Sequence, residues 1–284
     1  MDLDTTGYAF KLHPNNLNFC LNYLQRIISD LGEKKMKEEK IDTQKWLTSA
    51  MLWTVQIIDH TALRKSDCTL QLFERTEAVE IVVDLLETIL NAEAIFEKRC
   101  RENGPSFPEI HSNREDLIEA RAKFHQRISS IPPPDRPVIP PTPRYSRIEE
   151  DPGLSRLSII FADQMEIFNE NLYGMKTTLL ACLGNLVADC EKNQEAATNP
   201  PRNGLIAALQ CTARPMELII HNPLTSNWAL TAIRNLTVGN RKNKEILLNL
   251  NDGPSKIINR EKLLNELGVK VTRDDVTGVL RLAE

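Results

Sequence analysis

The sequence predicts an all-α protein, and three observations carry that fold class. Hydrophobic residues make up 41% of the 284 residues, aromatic residues only 5%, and glycine occurs 11 times; this balance favours helices built on Leu, Ile and Ala over a strand-rich sandwich. Apolar residues recur at i, i+3, i+4 and i+7 on both sides of one proline-rich stretch. In the C-terminal part, a set of residues also repeats 50 positions on, an interval of the kind that marks solenoids of stacked helices.

Taken in order, the first helix lies in "NLNFCLNYLQRIISDL", where Leu17, Cys20, Leu21, Leu24, Ile27, Ile28 and Leu31 form one continuous stripe. The mixed-charge stretch "EKKMKEEK" reads as a solvated connection. A second helix is expected to start near Asp42 or Thr43, either of which can cap it. Its apolar face is read as Trp46, Leu47, Ala50, Trp53 and Ile57, a spacing that assigns both tryptophans to the core. Two further helices are expected in "TEAVEIVVDLLETILNAEAIFEKRC" and "NREDLIEARAKFHQRI", closing an N-terminal helical region over residues 1–130.

Residues 131–152 carry eight prolines and form the clearest break in the chain, because proline lacks an amide donor and restricts the residue before it. Prolines at 134, 137, 140 and 143 follow the three-residue period of a polyproline II helix. Arg136 and Arg144 sit directly beside prolines instead of at the offset that docking into an aromatic groove uses, so the stretch reads as a stiff linker. Thr142-Pro143 is a candidate phosphorylation site.

The C-terminal region, 153–284, holds the repeat. "TLLACLGNLVADCEKNQEA" aligns with "ALTAIRNLTVGNRKNKE": Leu179, Cys182, Leu183 and Leu186 meet Ala229, Ala232, Ile233 and Leu236, one helical face in each copy. Asn185 meets Asn235, Asn193 meets Asn243, and the Asn203-Gly204 turn recurs as Asp252-Gly253. Each unit reads as a long core helix, a short helix after "KNQ" or "KNK", and a helix after the glycine turn. A single unit has too little apolar surface to bury alone, so the units must stack. The expected architecture is an armadillo-like helical solenoid.

Asparagine inside a helix is less favourable than alanine by up to about 0.7 kcal/mol, so the side chains of Asn185 and Asn235 must bond something. In one reading they hold the stack in register through the neighbouring repeat's backbone. In the other they line a groove for an extended peptide, as in importin-type proteins. That groove also needs a tryptophan four residues before each asparagine. Ala181 and Thr231 stand there, and Trp228 falls on a different face, which favours the stacking role.

At these residues the chain resembles a known family. "KTTLLACLGNLVADCEKNQ", "GLIAALQC" and "HNPLTSNWALTAIRNLTVGNRKNKEIL" are similar to the C-terminal domain of the ataxin-10 family, where a Leu-Ile-Gly-Asn-Leu helix, an Asn-Gln pair, a Gly-Gly-Ile turn and an Ile-Arg-Asn-Leu segment follow in that order. The ending "LLNELGVKVTRDDVTGVLRL" is similar to the family's closing segment, a helix followed by alternating residues suited to a small β-hairpin. Asn203 replaces one glycine of the turn, as in a divergent or abbreviated member. The resemblance implies an armadillo-like, non-enzymatic scaffold with protein partners and no cofactor. The partners it implies are the O-linked N-acetylglucosamine transferase and a G-protein beta subunit. Neuron survival, neurite outgrowth and cytokinesis are the processes it implies, with copper transport in fungal relatives.

The formal charge is -4, from 35 basic and 39 acidic residues, so no global field concentrates a polyanion and nucleic acid is not expected. No run approaches the ~18 apolar residues of a membrane helix, and the acidic N-terminus lacks the features of a secretory signal. Cys20, Cys68, Cys100, Cys182, Cys190 and Cys211 are dispersed, as suits reduced thiols in a cytoplasmic protein. The glycosylation acceptor at Asn235-Leu236-Thr237 then reads as a by-product of the repeat. Phosphate-loop, H-E-x-x-H and G-x-S-x-G motifs do not occur. His13, His60, His111, His125 and His221 are scattered, and Asp59-His60 are helix neighbours pointing about 100° apart. Cys182 and Cys190 read as core residues, not as a copper site. No catalytic, cofactor or metal residue is assigned. The rivals to the scaffold are an enzyme with a site assembled from dispersed residues and a nuclear import-type peptide adaptor; self-association is left open.

Overall fold

The computed structural model describes residues 14–32, 41–63, 75–103, 145–166, 170–213, 223–249, 269–273 and 280–282. These form α1 (Pro14–Gly32), α2 (Ile41–Leu63), α3 (Glu77–Asn103), α4 (Ser146–Glu150), α5 (Pro152–Glu166), α6 (Glu170–Val187), α7 (Glu191–Thr198), α8 (Gly204–Ala213), α9 (Pro223–Thr237) and α10 (Arg241–Asn249). Two short strands, β1 (Val271–Arg273) and β2 (Leu280–Leu282), pair antiparallel with Val271 opposite Leu282. The described residues are all-α apart from this terminal hairpin. The expected helix in "NREDLIEARAKFHQRI", the Thr142-Pro143 site and the prolines from 132 to 143 lie outside the described residues.

Helix α3 is the hub. Its stretch "EIVVDLLETIL" buries its apolar residues and also the acids Asp84 and Glu87, with α5, α6 and α8 packed around it. Helices from both sides of the expected linker share one hydrophobic core: Leu24 and Leu31 of α1, Met51 of α2, Leu85 and Leu86 of α3, Phe161 of α5 and Leu183 of α6 are all fully buried. The described part of the expected linker, 145–152, is mostly helical: α4 covers 146–150 and Pro152 opens α5, with Tyr145 and Asp151 extended at the ends of α4. Proline at the first helical position has no donor to lose. Asp151 caps α5, its Oδ1 accepting the N–H groups of Gly153 at 2.8 Å and Leu154 at 3.1 Å.

Three long helices, α2, α6 and α9, lie side by side and run parallel. Asn171 of α6 reaches Ser49 of α2 and Asn185 reaches Asp59, so both chains advance in the same direction. Thr177 meets Thr225 of α9 at 2.7 Å, and Gly184 packs against Ala232. The aligned faces of the repeat, Leu179, Cys182, Leu183 and Leu186 against Ala229, Ala232, Ile233 and Leu236, are completely buried.

The repeat extends to the backbone. Both α6 and α9 end on a residue in the left-handed region, Asp189 at φ 52° and Gly239 at φ 72°, which turns the chain into the next short helix. Those short helices start earlier than expected. "KNQ" lies inside the first turn of α7, not before it, because Glu191 already opens the helix.

Candidate interaction surface

On α2 the structure corrects the sequence reading. Trp46 and Trp53 are each 67% exposed and Ile57 is 39% exposed, so these residues are not core. The helix buries Leu47, as expected, together with Met51, Leu52, Val55 and Ile58, which lie outside the expected face. Apolar residues occur all round α2, and spacing alone cannot decide which of two apolar stripes faces inward. Buried polar bonds fix the choice. Thr48 Oγ1 donates to Gln164 Oε1 of α5 at 2.6 Å, and Gln164 Nε2 donates to the Gln44 carbonyl at 2.9 Å. Trp46, Ala50, Trp53 and Ile57 thereby form an outward stripe at spacings of four, three and four residues, with the two indoles about 10 Å apart along the axis.

Beside that stripe, α6 is held between α2 and α9, and its described side chains are buried except for a narrow strip of Asn171, Gly174, Thr178 and Asn185. These are polar or small residues, so the strip lies low between the flanking helices. The α9 side of it presents Asn227, Thr231 and Arg234.

The two asparagines singled out by the repeat both bond toward the preceding helix of the row. Asn185 Nδ2 donates to Asp59 Oδ1 at 2.7 Å, and Asn235 Nδ2 donates to the Gly184 carbonyl at 2.9 Å. Burial pushes the Asp59 carboxyl above its ordinary range, opposed by the Asn185 hydrogen bond and by the charge of His60. The Cys182 thiol is raised well above its ordinary value, first by complete burial and then by Asp59. Cys190 is half-buried and is the N-cap residue of α7. Among the described residues no group of three or more His, Cys, Asp or Glu could hold a metal ion, and no helix is long and apolar enough to cross a membrane.

A second pair of repeated asparagines is buried more deeply. Asn193 Nδ2 donates to the Leu186 carbonyl and Asn243 Nδ2 to the Leu236 carbonyl, each at 2.8 Å. Asn243 Oδ1 also accepts from Thr198 Oγ1 at 2.9 Å. Gln194 crosses to the next unit, donating to the carbonyls of Asn235 at 2.8 Å and Val238 at 3.1 Å. These side chains satisfy carbonyls left open at the ends of the long helices. Their fifty-residue offset is visible in the sequence, but not that they, more than Asn185 and Asn235, are fully enclosed. Asn243→Ala orphans the Leu236 carbonyl and leaves the Thr198 hydroxyl only its bond to the Gln194 carbonyl, and is expected to cost about 1–3 kcal/mol. Asn185→Ala, at the half-exposed strip, is expected to cost less than about 1 kcal/mol. Urea titration of the two variants checks the ranking; equal losses contradict it.

A cavity of 690 Å³ opens between α1, α3, α4 and α5, with Glu77, Glu80, Asp84, Asp151, Arg147 and Arg202 in its wall. These carboxylates are already engaged. Asp84 accepts from both arginines, Glu80 pairs with Arg202 at 3.2 Å, Glu77 pairs with Arg75 at 2.7 Å and Asp151 caps α5. The arrangement braces helix ends against α3.

Comparison with known proteins places the C-terminal part. No curated protein and no solved structure matches the chain. Residues 175–283 match the family model described as the spinocerebellar ataxia type 10 protein domain. That span takes in most of α6, all of α7 to α10 and the terminal hairpin. It contains both copies of the repeat and its buried asparagines, so over these residues the chain carries a domain similar to that of the ataxin-10 family.

Proposed function

We propose that the protein is a non-enzymatic interaction scaffold of armadillo-like design, whose parallel helices α2, α6 and α9 present a binding face to a protein partner. The observation that supports this reading is the pair of exposed tryptophans on α2. Exposing two indoles on one helix face, when the opposite face of the same helix forms core, forgoes burial worth about 25 cal/mol per Å² of apolar area. Tryptophan is also the side chain that most often dominates binding energy at protein interfaces. Apolar stripes of this kind beside polar side chains are characteristic of interaction sites. The strip of Asn171, Thr178 and Asn185 supplies hydrogen-bonding groups next to the indoles.

The candidate occupants are the two proteins implied by the family resemblance, the O-linked N-acetylglucosamine transferase and a G-protein beta subunit. The test is titration calorimetry of the purified chain against each, with wild type and the Trp46→Ala/Trp53→Ala variant. The expected result is binding of at least one protein, weakened by at least about 30-fold in the variant, with the unfolding temperature unchanged. Failure to bind either protein, or equal affinity for wild type and variant, overturns the assignment of this face.

A further inference from the structure

Glu80, Asp84 and Glu87 occupy one face of α3 at i, i+4 and i+7, against α4 and the connection that leads into α8. Arg202 donates to Asp84 through Nε at 2.8 Å and Nη2 at 3.0 Å, and Arg147 Nε donates to the same carboxylate at 2.8 Å. Arg202 also pairs with Glu80. Two carboxylates thus already balance the two guanidiniums. Glu87 brings a third carboxyl to the same place and is completely buried. Its Oε1 accepts the backbone N–H of Asn203 at 2.7 Å, while Oε2 has no partner among the described residues. At the next residue, Gly204, the backbone approaches α3 so closely that a Cβ would stand 2.9 Å from Val83 Cγ2. The start of α8 is therefore seated on α3 at the point where Glu87 holds it.

We propose that Glu87 is a proton-controlled latch between α3 and α8, closed while its carboxyl carries a proton and loosened when the proton leaves. The ionised form places an unbalanced negative charge beside Asp84, whose arginines are committed. The charged groups that face Glu87 are Asp84 on its own helix, Arg147 on α4 and Arg202 in the connection before α8; the neighbouring Asn203 contributes only its backbone N–H. Burial is the largest effect and, with repulsion from Asp84, raises the carboxyl from 4.5 to about 7 against the pull of Asn203 and the two arginines. The closed form therefore holds its proton to higher pH than an opened form does. The latch has full strength below pH 4.5 and loses it as pH rises through about 7. Because α8 leads into α9, the latch couples the N-terminal helices to the family domain, and it stands apart from the partner-binding reading of α2.

Hydrogen exchange tests it at the amides of Ile206 and Ala207, which bond Asn203 Oδ1 and the Asn203 carbonyl. After correction for intrinsic exchange, their protection relative to α9 amides is expected to fall about tenfold from pH 6 to pH 8 in the wild type. In Glu87→Gln, which keeps the acceptor and cannot ionise, the ratio is expected to stay flat. No fall in the wild type, or an equal fall in both proteins, overturns the latch. The carboxyl ¹³C titration of Glu87 in the wild type provides a readout that needs no variant: a midpoint near 7 supports the latch, and a midpoint below about 5.5 overturns it.

Discussion

Lys176→Met is expected to destabilise the protein by about 3–5 kcal/mol, lowering the unfolding temperature by about 10 °C. Lys176 Nζ donates to Glu93 Oε1 at 2.6 Å, and both side chains are buried, 7% and 4% exposed. The pair joins α6 to α3, the two helices at the centre of the core. Methionine keeps the apolar stem of lysine and removes only the charge, so packing changes little. The remaining cost is that of a carboxylate enclosed without a cation, and Glu93 Oε2 already has no partner among the described residues. Replacing both members restores an apolar contact, and Lys176→Met/Glu93→Leu is expected to return to within about 1–2 kcal/mol of wild type. Urea denaturation of the three proteins checks this. A double variant as unstable as the single one shows that the loss comes from shape and not from charge.

Gly153→Ala is expected to cost about 3 kcal/mol or more, at the upper end of overpacking changes. An added Cβ would stand 2.1 Å from the Ile28 carbonyl oxygen and 2.9 Å from its carbon. These are backbone atoms of α1, so no rotamer change relieves the clash and the two helices must separate. Separation would open the packing of Leu24 and Leu31 against α5. Gly184→Ala is the control. Its Cβ would meet Ala232 Cα at 3.5 Å, an ordinary contact, and alanine is favoured over glycine inside a helix by about 1 kcal/mol. This second change is expected to be neutral or stabilising. Thermal unfolding distinguishes the two, and equal effects would mean that α1 does not cross α5 so closely.

The all-α class, the core stripe of α1, the long helices of the repeat and the terminal hairpin were legible in the sequence because each follows from a local period. A stripe such as Leu17, Leu21, Leu24 and Leu31 leaves one way to orient a helix. The fifty-residue offset carried further still, since the αL residues Asp189 and Gly239 and the buried bonds of Asn193 and Asn243 all follow it.

Tertiary structure decided what local pattern could not. Helix α2 is apolar on two faces, and partners more than a hundred residues away, the packing against α6 and the bonds of Thr48 and Gln44 with Gln164, turn Trp46 and Trp53 outward. The segment that holds Asp84 and Glu87 reads simply as a helix, yet Arg147, Arg202 and Asn203 converge on these two acids from distant parts of the chain. The sequence by itself determined the helical class, the stripe of α1 and which segments repeat, because those properties depend on local periods; it did not show α4, inside the expected linker, or α5. Which face is exposed, which acid is buried and which glycine touches a second backbone depend on partners far along the chain, and only the fold brings them together.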